Sequence, residues 1–389
     1  MKMVRGLLGM VALSWAALAG AEVKDMPGGP GVDQLNLPFG VTPISHDIYD
    51  LNWMIMIICT IIFIGVFGTM LYSIVMHRKS RGHKPAKFDE NMAVELTWTI
   101  VPFLIIVSMA IPSTRTVVAM KDTSSADLTV KVTGYQWKWG YDYLDGPAAG
   151  VHFLSNLTTP MAQINNQEPK GNTYLMEVDH PLVVPVNKKV RIVLTAEDVI
   201  HSWAVPDFGV KQDAIPGYLR DTWFRAEKTG TYRGQCSELC GKNHAYMPVV
   251  VEVKSAEDYA QWAKQQKTAM AASAEDPNKT WTKDELIAQG KEVFTTTCVA
   301  CHQANGQGIP GTFPALNGDT KFVLAPMKGQ ILTELNGHPG TAMPAFRDQL
   351  SDTQLAAVIT YTRNAWDNAG KGPDPVVQPK DVQALRGSK

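Results

Sequence analysis

The sequence predicts a multidomain fold: a transmembrane α-hairpin, an exported all-β domain and a separate small C-terminal module. Three observations carry this. Two long apolar segments, near residues 53–76 and 93–120, flank a loop dense in lysine, arginine and histidine. Beyond Lys121 the hydropathy falls, and short β-branched and aromatic runs alternate with turns. Two cysteine pairs, Cys236 with Cys240 and Cys298 with Cys301, lie in different parts of the chain, divided by an Ala/Ser/Lys/Glu-rich stretch. Bulk composition agrees, since 389 residues suffice for two or three domains and 45% hydrophobic against 19% charged residues leans toward a membrane protein. A net charge of −1 lacks the basicity that nucleic-acid binding needs, so no nucleic-acid partner is expected.

Taken in order, residues 1–21 have the composition of a secretory signal peptide: Lys2 and Arg5, an apolar run from Leu7 to Leu18, then small Ala19, Gly20 and Ala21. Cleavage is expected after Ala19 or Ala21. The hairpin occupies residues 45–120, and each of its apolar segments reaches the roughly 20 residues that a spanning helix needs. Between them stand His77, Arg78, Lys79, Arg81, His83, Lys84 and Lys87. A basic loop of this kind stays cytoplasmic, so both ends of the hairpin face outside. Pro102 and Pro112 are tolerable inside a membrane helix, where neighbouring helices satisfy the freed backbone groups. Cys59 has no ligand-type neighbour and reads as structural. Glu95, at the cytoplasmic edge of the second segment, is either a solvated flank or the mouth of a proton path.

Residues 121–266 form the exported domain. Leu128–Thr133, Tyr174–Val178, Lys189–Thr195, Trp203–Pro206, Gly230–Arg233 and Pro248–Val253 read as strands, and so many short strands argue for a β-sandwich or barrel. A helix over 254–266 closes it. The chemistry concentrates in the run from Cys236 through Cys240 and His244 to Met247, with His201 upstream. Two thiolates, two imidazoles and a thioether are a soft donor set that suits copper far better than magnesium or calcium. A blue-copper loop offers one cysteine; two cysteines four residues apart can bridge a pair of copper ions. A structural zinc site is the rival reading, but Met247 is a poor zinc ligand and the domain is large enough to fold without a metal staple.

Four segments carry a resemblance: Gly-Tyr-Gln-Trp-Lys-Trp-Gly-Tyr (134–141), Glu-Asp-Val-Ile-His-Ser-Trp-Ala-Val-Pro (197–206), Lys-Gln-Asp-Ala-Ile-Pro-Gly (211–217) and Cys-Ser-Glu-Leu-Cys-Gly-Lys-Asn-His-Ala-Tyr-Met-Pro (236–248). With the hairpin, they resemble subunit II of cytochrome c oxidases over about residues 45–255. The resemblance implies a cupredoxin fold holding the dinuclear copper centre CuA. By motif position His201, Cys236, Cys240, His244 and Met247 would be side-chain ligands, and Glu238 would lend its backbone carbonyl. It also implies that the Glu238 carboxylate binds a magnesium ion shared with subunit I, a hard ligand for a hard ion. Trp137 matches the surface tryptophan that receives electrons from cytochrome c, although the run Tyr135, Trp137, Trp139, Tyr141, Tyr143 is also compatible with simple sheet packing. Glu95 falls at the family position of a proton-channel entrance.

Residues 267–282 read as a flexible linker. The module that follows, 283–369, contains Cys298-Val-Ala-Cys301-His302, the attachment motif of a c-type haem: two thiols reach both vinyl groups, and the next residue supplies an imidazole to the iron. It resembles a class I cytochrome c, a small all-α fold in which Met343 stands at the position of the sixth ligand. Gly290 and Phe294 on a first helix and Tyr361 on a last helix, Ser351–Trp366, match that family's crossing of terminal helices. The polar, Pro-rich tail 370–389 is expected to be disordered.

The function implied is the electron-receiving subunit of a proton-pumping terminal oxidase in a bacterial inner (plasma) membrane, with its metal domains on the periplasmic side. Electrons would pass from a soluble or membrane cytochrome c, or from the fused haem c, through CuA to the haem–copper site of subunit I, which reduces oxygen to water. The chain has no intramembrane histidine cluster of its own, so subunit I is an obligatory partner; subunit III is a further one. A CuA-bearing subunit of a nitric oxide reductase shares part of this chemistry, and Glu95 and Glu238 disfavour it. A quinol oxidase subunit would have lost the copper ligands that are complete here.

Overall fold

In a computed structural model the described residues are 25–82, 90–272, 279–338, 341 and 343–387. The signal-peptide expectation and part of the basic loop and linker lie outside them. The chain divides into two compact units, one holding the membrane helices and the β domain and the other the C-terminal module.

Helix α1 spans Pro43–Met76 and α2 spans Met92–Lys121. Their apolar side chains, Ile61, Ile64, Phe103 and Ile106 among them, are exposed, as bilayer-facing residues are. α1 starts ten residues before the apolar stretch because its start signals are polar. Thr42 and Ser45 form a reciprocal capping box ahead of Pro43 at the first position, each side chain accepting the other's N–H at 3.0 Å. The first turn is buried against the β domain, where the Thr42 hydroxyl donates to the Phe208 carbonyl at 2.8 Å. At the far end of the hairpin Trp223 Nε1 donates to the last turn of α2, at Ala119 O, 2.9 Å.

The β domain has ten strands in two five-stranded sheets. They are β1 Leu128–Tyr135, β2 Lys138–Tyr143, β3 His152–Ser155, β4 Leu182–Pro185, β5 Val190–Ala196, β6 His201–Val205, β7 Val210–Ala214, β8 Arg220–Phe224, β9 Gly230–Cys236 and β10 Pro248–Lys254. One sheet runs β3-β2-β1-β5-β8, the other β4-β10-β9-β6-β7, and β4 pairs with β10 in parallel. Side chains of β5 alternate buried and half-buried, the period of a strand with one face on a core, whereas all of β6 is buried. The sheets meet through large aromatic residues: Trp203 and Phe224 stack at 6.2 Å, and the Tyr143 hydroxyl from one sheet both accepts from Val183 N and donates to Val183 O in the other. This is a sandwich of cupredoxin type. The short helix α3, Met161–Ile164, lies in the long β3–β4 connection.

The same connection corrects one expected strand. Tyr174–Val178 forms only an isolated bridge, Leu157 with Val178, because Leu175 takes a left-handed φ of 61° that no strand accommodates. Met176 and Glu177 instead receive the buried Arg233 guanidinium, which also reaches Pro27. Helix α4, Ala256–Ala272, packs Tyr259 and Trp262 on the β domain, with Trp262 5.3 Å from Tyr143. It runs past its expected end into the linker, since Ala, Gln and Lys are strong helix formers even where no core dictates them.

In the second unit α5 spans Lys283–Val293, α6 Val299–His302, α7 Met327–Asn336 and α8 Asp352–Asn364. Thr282 with Glu285 and Ser351 with Gln354 cap α5 and α8 reciprocally. α5 crosses α8 at Gly290, where a Cβ would stand 2.0 Å from the Ala357 carbonyl oxygen. Phe294 packs 5.4 Å from both Tyr361 and Trp366, so the crossing holds three aromatics where the sequence pattern indicated two. The tail is not disordered: Pro379–Arg386 is a further helix, α9, and Val377 and Val382 are fully buried in the module's core. Two isolated valines give too weak a pattern to announce an eight-residue helix, whose stability comes from docking and not from propensity. Gly290→Ala should force α5 and α8 apart and destabilise the module by about 1–3 kcal/mol, the range for overpacking a tight contact, read as a lower denaturant midpoint for loss of its tertiary signal.

Candidate metal centre

The ends of three neighbouring strands build the site. His201 opens β6, Cys236 closes β9, and Met247 immediately precedes β10. β6 and β9 pair with Trp203 opposite Cys236, which brings the two ends to one edge of the sheet. Cys236 N–H donates to the Met247 carbonyl at 3.0 Å, and Ser237 N–H to the Ser202 carbonyl at 3.0 Å. Between Cys236 and Met247 the chain loops out and returns, placing Cys240 and His244 over the strand ends.

The two cysteine sulfurs lie 3.8 Å apart. His201 Nδ1 stands 4.0 Å from Cys236 Sγ, and His244 Nδ1 stands 3.5 Å from Cys240 Sγ, so each sulfur has its own imidazole. The Glu238 carbonyl oxygen is 3.3 Å from Cys236 Sγ. His201, Cys236, Cys240 and Met247 are buried, His244 half-buried and the Glu238 side chain exposed. The Cys236 thiol is held far below the ordinary thiol value, first by its hydrogen bond with Cys240 and, against the opposing effect of burial, by His201 and the backbone of Ser202 and Glu238. A thiol so readily ionised beside two imidazoles is a donor set ready for a soft metal ion. The residues therefore fit a copper pair by chemistry and by placement.

Sequence reasoning missed the support around these donors. Gln136 Nε2 and Trp137 Nε1 both donate to the Cys240 carbonyl, at 2.8 and 3.1 Å, which ties the aromatic turn between β1 and β2 to the loop. A Cβ at Gly134 would stand 2.7 Å from His201 Cδ2, and Trp139 meets the same imidazole edge-on at 5.9 Å. A glycine and an alternating aromatic run in β1–β2 were the available signals, and in sequence they look like ordinary strand. Glu95 sits apart, in the first turn of α2, where its carboxylate accepts the Asn91 N–H at 3.2 Å.

In the second unit Cys298 ends a wide π-type turn, Phe294–Cys298, and Cys301 and His302 follow in α6. His302 Nδ1 is 2.9 Å from the Pro314 carbonyl. A carbonyl can only accept, so Nδ1 carries the proton and the Nε2 lone pair is left for an iron. Burial, only partly offset by Pro314, pushes the His302 pKa down and keeps the ring neutral. Met343 packs half-buried against the core of this module, and its carbonyl accepts the His338 N–H at 3.2 Å. Cys298, Cys301 and His302 fit a covalently held haem with an imidazole ligand.

Comparison with known proteins agrees with this division. Residues 30–116 match the model for the cytochrome c oxidase subunit II transmembrane domain, 128–254 that for its periplasmic domain, and 287–366 that for cytochrome c. Cytochrome c oxidase subunit 2 of Cereibacter sphaeroides is 40% identical over 277 residues, covering 67% of this chain and 89% of the relative. A probable cytochrome c oxidase subunit 2 of Rickettsia bellii is 37% identical over 276 residues, covering 71% and 97%. The crystal structure of the periplasmic domain of subunit II of the Bradyrhizobium japonicum cytochrome oxidase aligns at 46% identity over 38% of this chain and 98% of that one, with a TM-score of 0.33. On the family models and the two relatives the chain belongs to the cytochrome c oxidase subunit II family, as a membrane subunit of the oxidase that carries a cytochrome c module at its C-terminal end.

Proposed function

We propose that this subunit receives electrons at the cytochrome c module and hands them, through a dinuclear copper centre in the β domain, to the haem–copper site of subunit I, where oxygen is reduced to water with proton pumping. The single observation that carries the reading is the pair of buried sulfurs 3.8 Å apart, each with a separate imidazole within 4.0 Å. A single tetrahedral ion could take both sulfurs and both imidazoles, but Met247 and the Glu238 carbonyl beside them would then be surplus. When bound, CuA and haem c supply one-electron carriers.

His201, Cys236, Cys240, His244 and Met247 hold the copper pair with the Glu238 carbonyl, and Cys298, Cys301, His302 and Met343 hold the haem. The protein's work is to keep these donors in place: Gly134 and Trp139 wall the His201 ring, and Gln136 and Trp137 fasten the Cys240 carbonyl. Trp137 is thereby one hydrogen bond from a ligand residue while remaining half-buried, which supports it as the point where electrons arrive. To the exposed Glu238 carboxylate we assign a share in a magnesium ion held with subunit I, and to Glu95 the start of a proton path at the cytoplasmic side. A soluble or membrane cytochrome c is the upstream donor, and subunit III a further neighbour in the complex.

Cys236→Ser or Cys240→Ser should abolish the near-infrared absorption of CuA in the purified complex while the haem c spectrum stays; retention of that absorption in either variant refutes the centre. Gly134→Ala should press on the His201 ring and shift the same band without removing copper, which metal analysis of the sample would verify. Glu238→Gln should keep copper but bind manganese, used as a paramagnetic probe of the magnesium site, at least about tenfold more weakly, as removal of one charged ligand implies.

A further inference from the structure

Residues beyond the cytochrome c match, which ends at 366, fold back onto the module at three levels. Gln378 and Trp281 exchange two hydrogen bonds of 3.0 Å each across 97 positions. Arg363, 3% exposed, gathers the carbonyls of Asp374 and Ala325 at 2.8 and 2.7 Å together with that of Pro373. Val377 and Val382 then seal α9 to the core. These contacts deliver the last turn of α9 to one place, the segment between Met343 and α8.

There Arg386 spreads its guanidinium over that segment. Nε pairs with Asp352 Oδ1 at 2.7 Å, Nη2 donates to the Leu350 carbonyl at 3.0 Å, and Nη1 donates to the Arg347 carbonyl. Arg347 answers by donating to the Arg386 carbonyl and to Asn336 Oδ1 at the end of α7. Met343 lies four residues before Arg347; the segment is tied besides by His338 N–H to the Met343 carbonyl at 3.2 Å, by Phe346 N–H to the Glu334 carbonyl at 2.9 Å, by Gln349 Nε2 to the Ala345 carbonyl at 2.7 Å and by the burial of Phe346 and Leu350, and Arg386 adds the bonds that reach it from the tail. A tail that served only to cover apolar surface would need Val377 and Val382. It would not need a half-buried guanidinium aimed at the backbone of the methionine loop, with a partner for each of its three nitrogens.

We propose that the C-terminal helix is a strap that positions the Met343 loop, with Arg386 as its positioning residue, so that the thioether is held toward the iron side of the module. This rests on the reading of Met343 as the sixth haem ligand. A held thioether raises the haem's reduction potential and resists replacement, whereas a loop released from Arg386 lets an outside base compete.

The test uses the full oxidase complex and follows haem c at its α band, measuring its midpoint potential and its affinity for added imidazole in the oxidised state. Arg386→Ala should bind imidazole about tenfold more tightly than the parent, the order expected from losing charge-assisted hydrogen bonds, and should have a lower midpoint. Arg386→Lys, which keeps the charge opposite Asp352, should fall between. Imidazole affinity and midpoint equal to the parent in Arg386→Ala overturn the strap. If Arg386→Ala accumulates without haem, Asp352→Asn carries the same test: a smaller shift in the same direction supports the proposal, and parental values overturn it. Met343→Ala separates the two claims. Unchanged potential and affinity in that variant mean that Met343 is not the ligand, and both readings fall; a changed Met343→Ala with a parental Arg386→Ala removes the strap alone.

Discussion

The β domain depends on one constraint, the meeting of β6, β9 and β10 at a single sheet edge. The Cys236 N–H bond to the Met247 carbonyl closes that edge, and everything between these residues must leave and return across a gap one hydrogen bond wide. The sulfurs are thereby brought to 3.8 Å. Two thiols so close and so buried would be costly if both were ionised, and a pair of cations between them removes the cost. Hence the strand pairing precedes the chemistry. The sandwich core of Trp203, Phe224, Tyr141 and Tyr143 keeps the edge rigid, and the loop only has to fall across it.

The cytochrome module solves a similar problem with helices. Its helices α5 and α8 cross at Gly290, so closely that no side chain fits, and the crossing aligns Phe294 at the start of the turn that ends in Cys298. His302 is oriented by a backbone carbonyl, which needs no charged partner in an apolar pocket. Both units therefore hold their donors through backbone geometry and use side chains to trim it.

Much of this was legible in the sequence, for identifiable reasons. The membrane helices announce themselves by composition, and the Cys236–Met247 and Cys298–His302 clusters by spacing. What stayed hidden was tertiary. The capping box at Thr42 extends α1 far beyond its apolar stretch, yet a hydropathy reading sees only the apolar part. Leu175 breaks an expected strand through a backbone angle that its side chain does not advertise. Val377 and Val382 order a tail whose composition reads as disordered, and Gln136 supports Cys240 from 104 positions away. Sequence periodicity registers neighbours along an element; it has no access to partners that only the fold supplies.

The hairpin meets the β domain at two places, the first turn of α1 through Thr42 and Phe208 and the last turn of α2 through Ala119 and Trp223. Two such ties leave rotation only about the line that joins them. The place of the Cys236–Met247 loop relative to the hairpin is consequently set by bonded and hydrogen-bonded protein geometry. Any tilt that a thicker or thinner membrane imposes on the hairpin is passed on to the sandwich, so the face that carries Trp137 would be steered by the membrane while its internal distances stay constant.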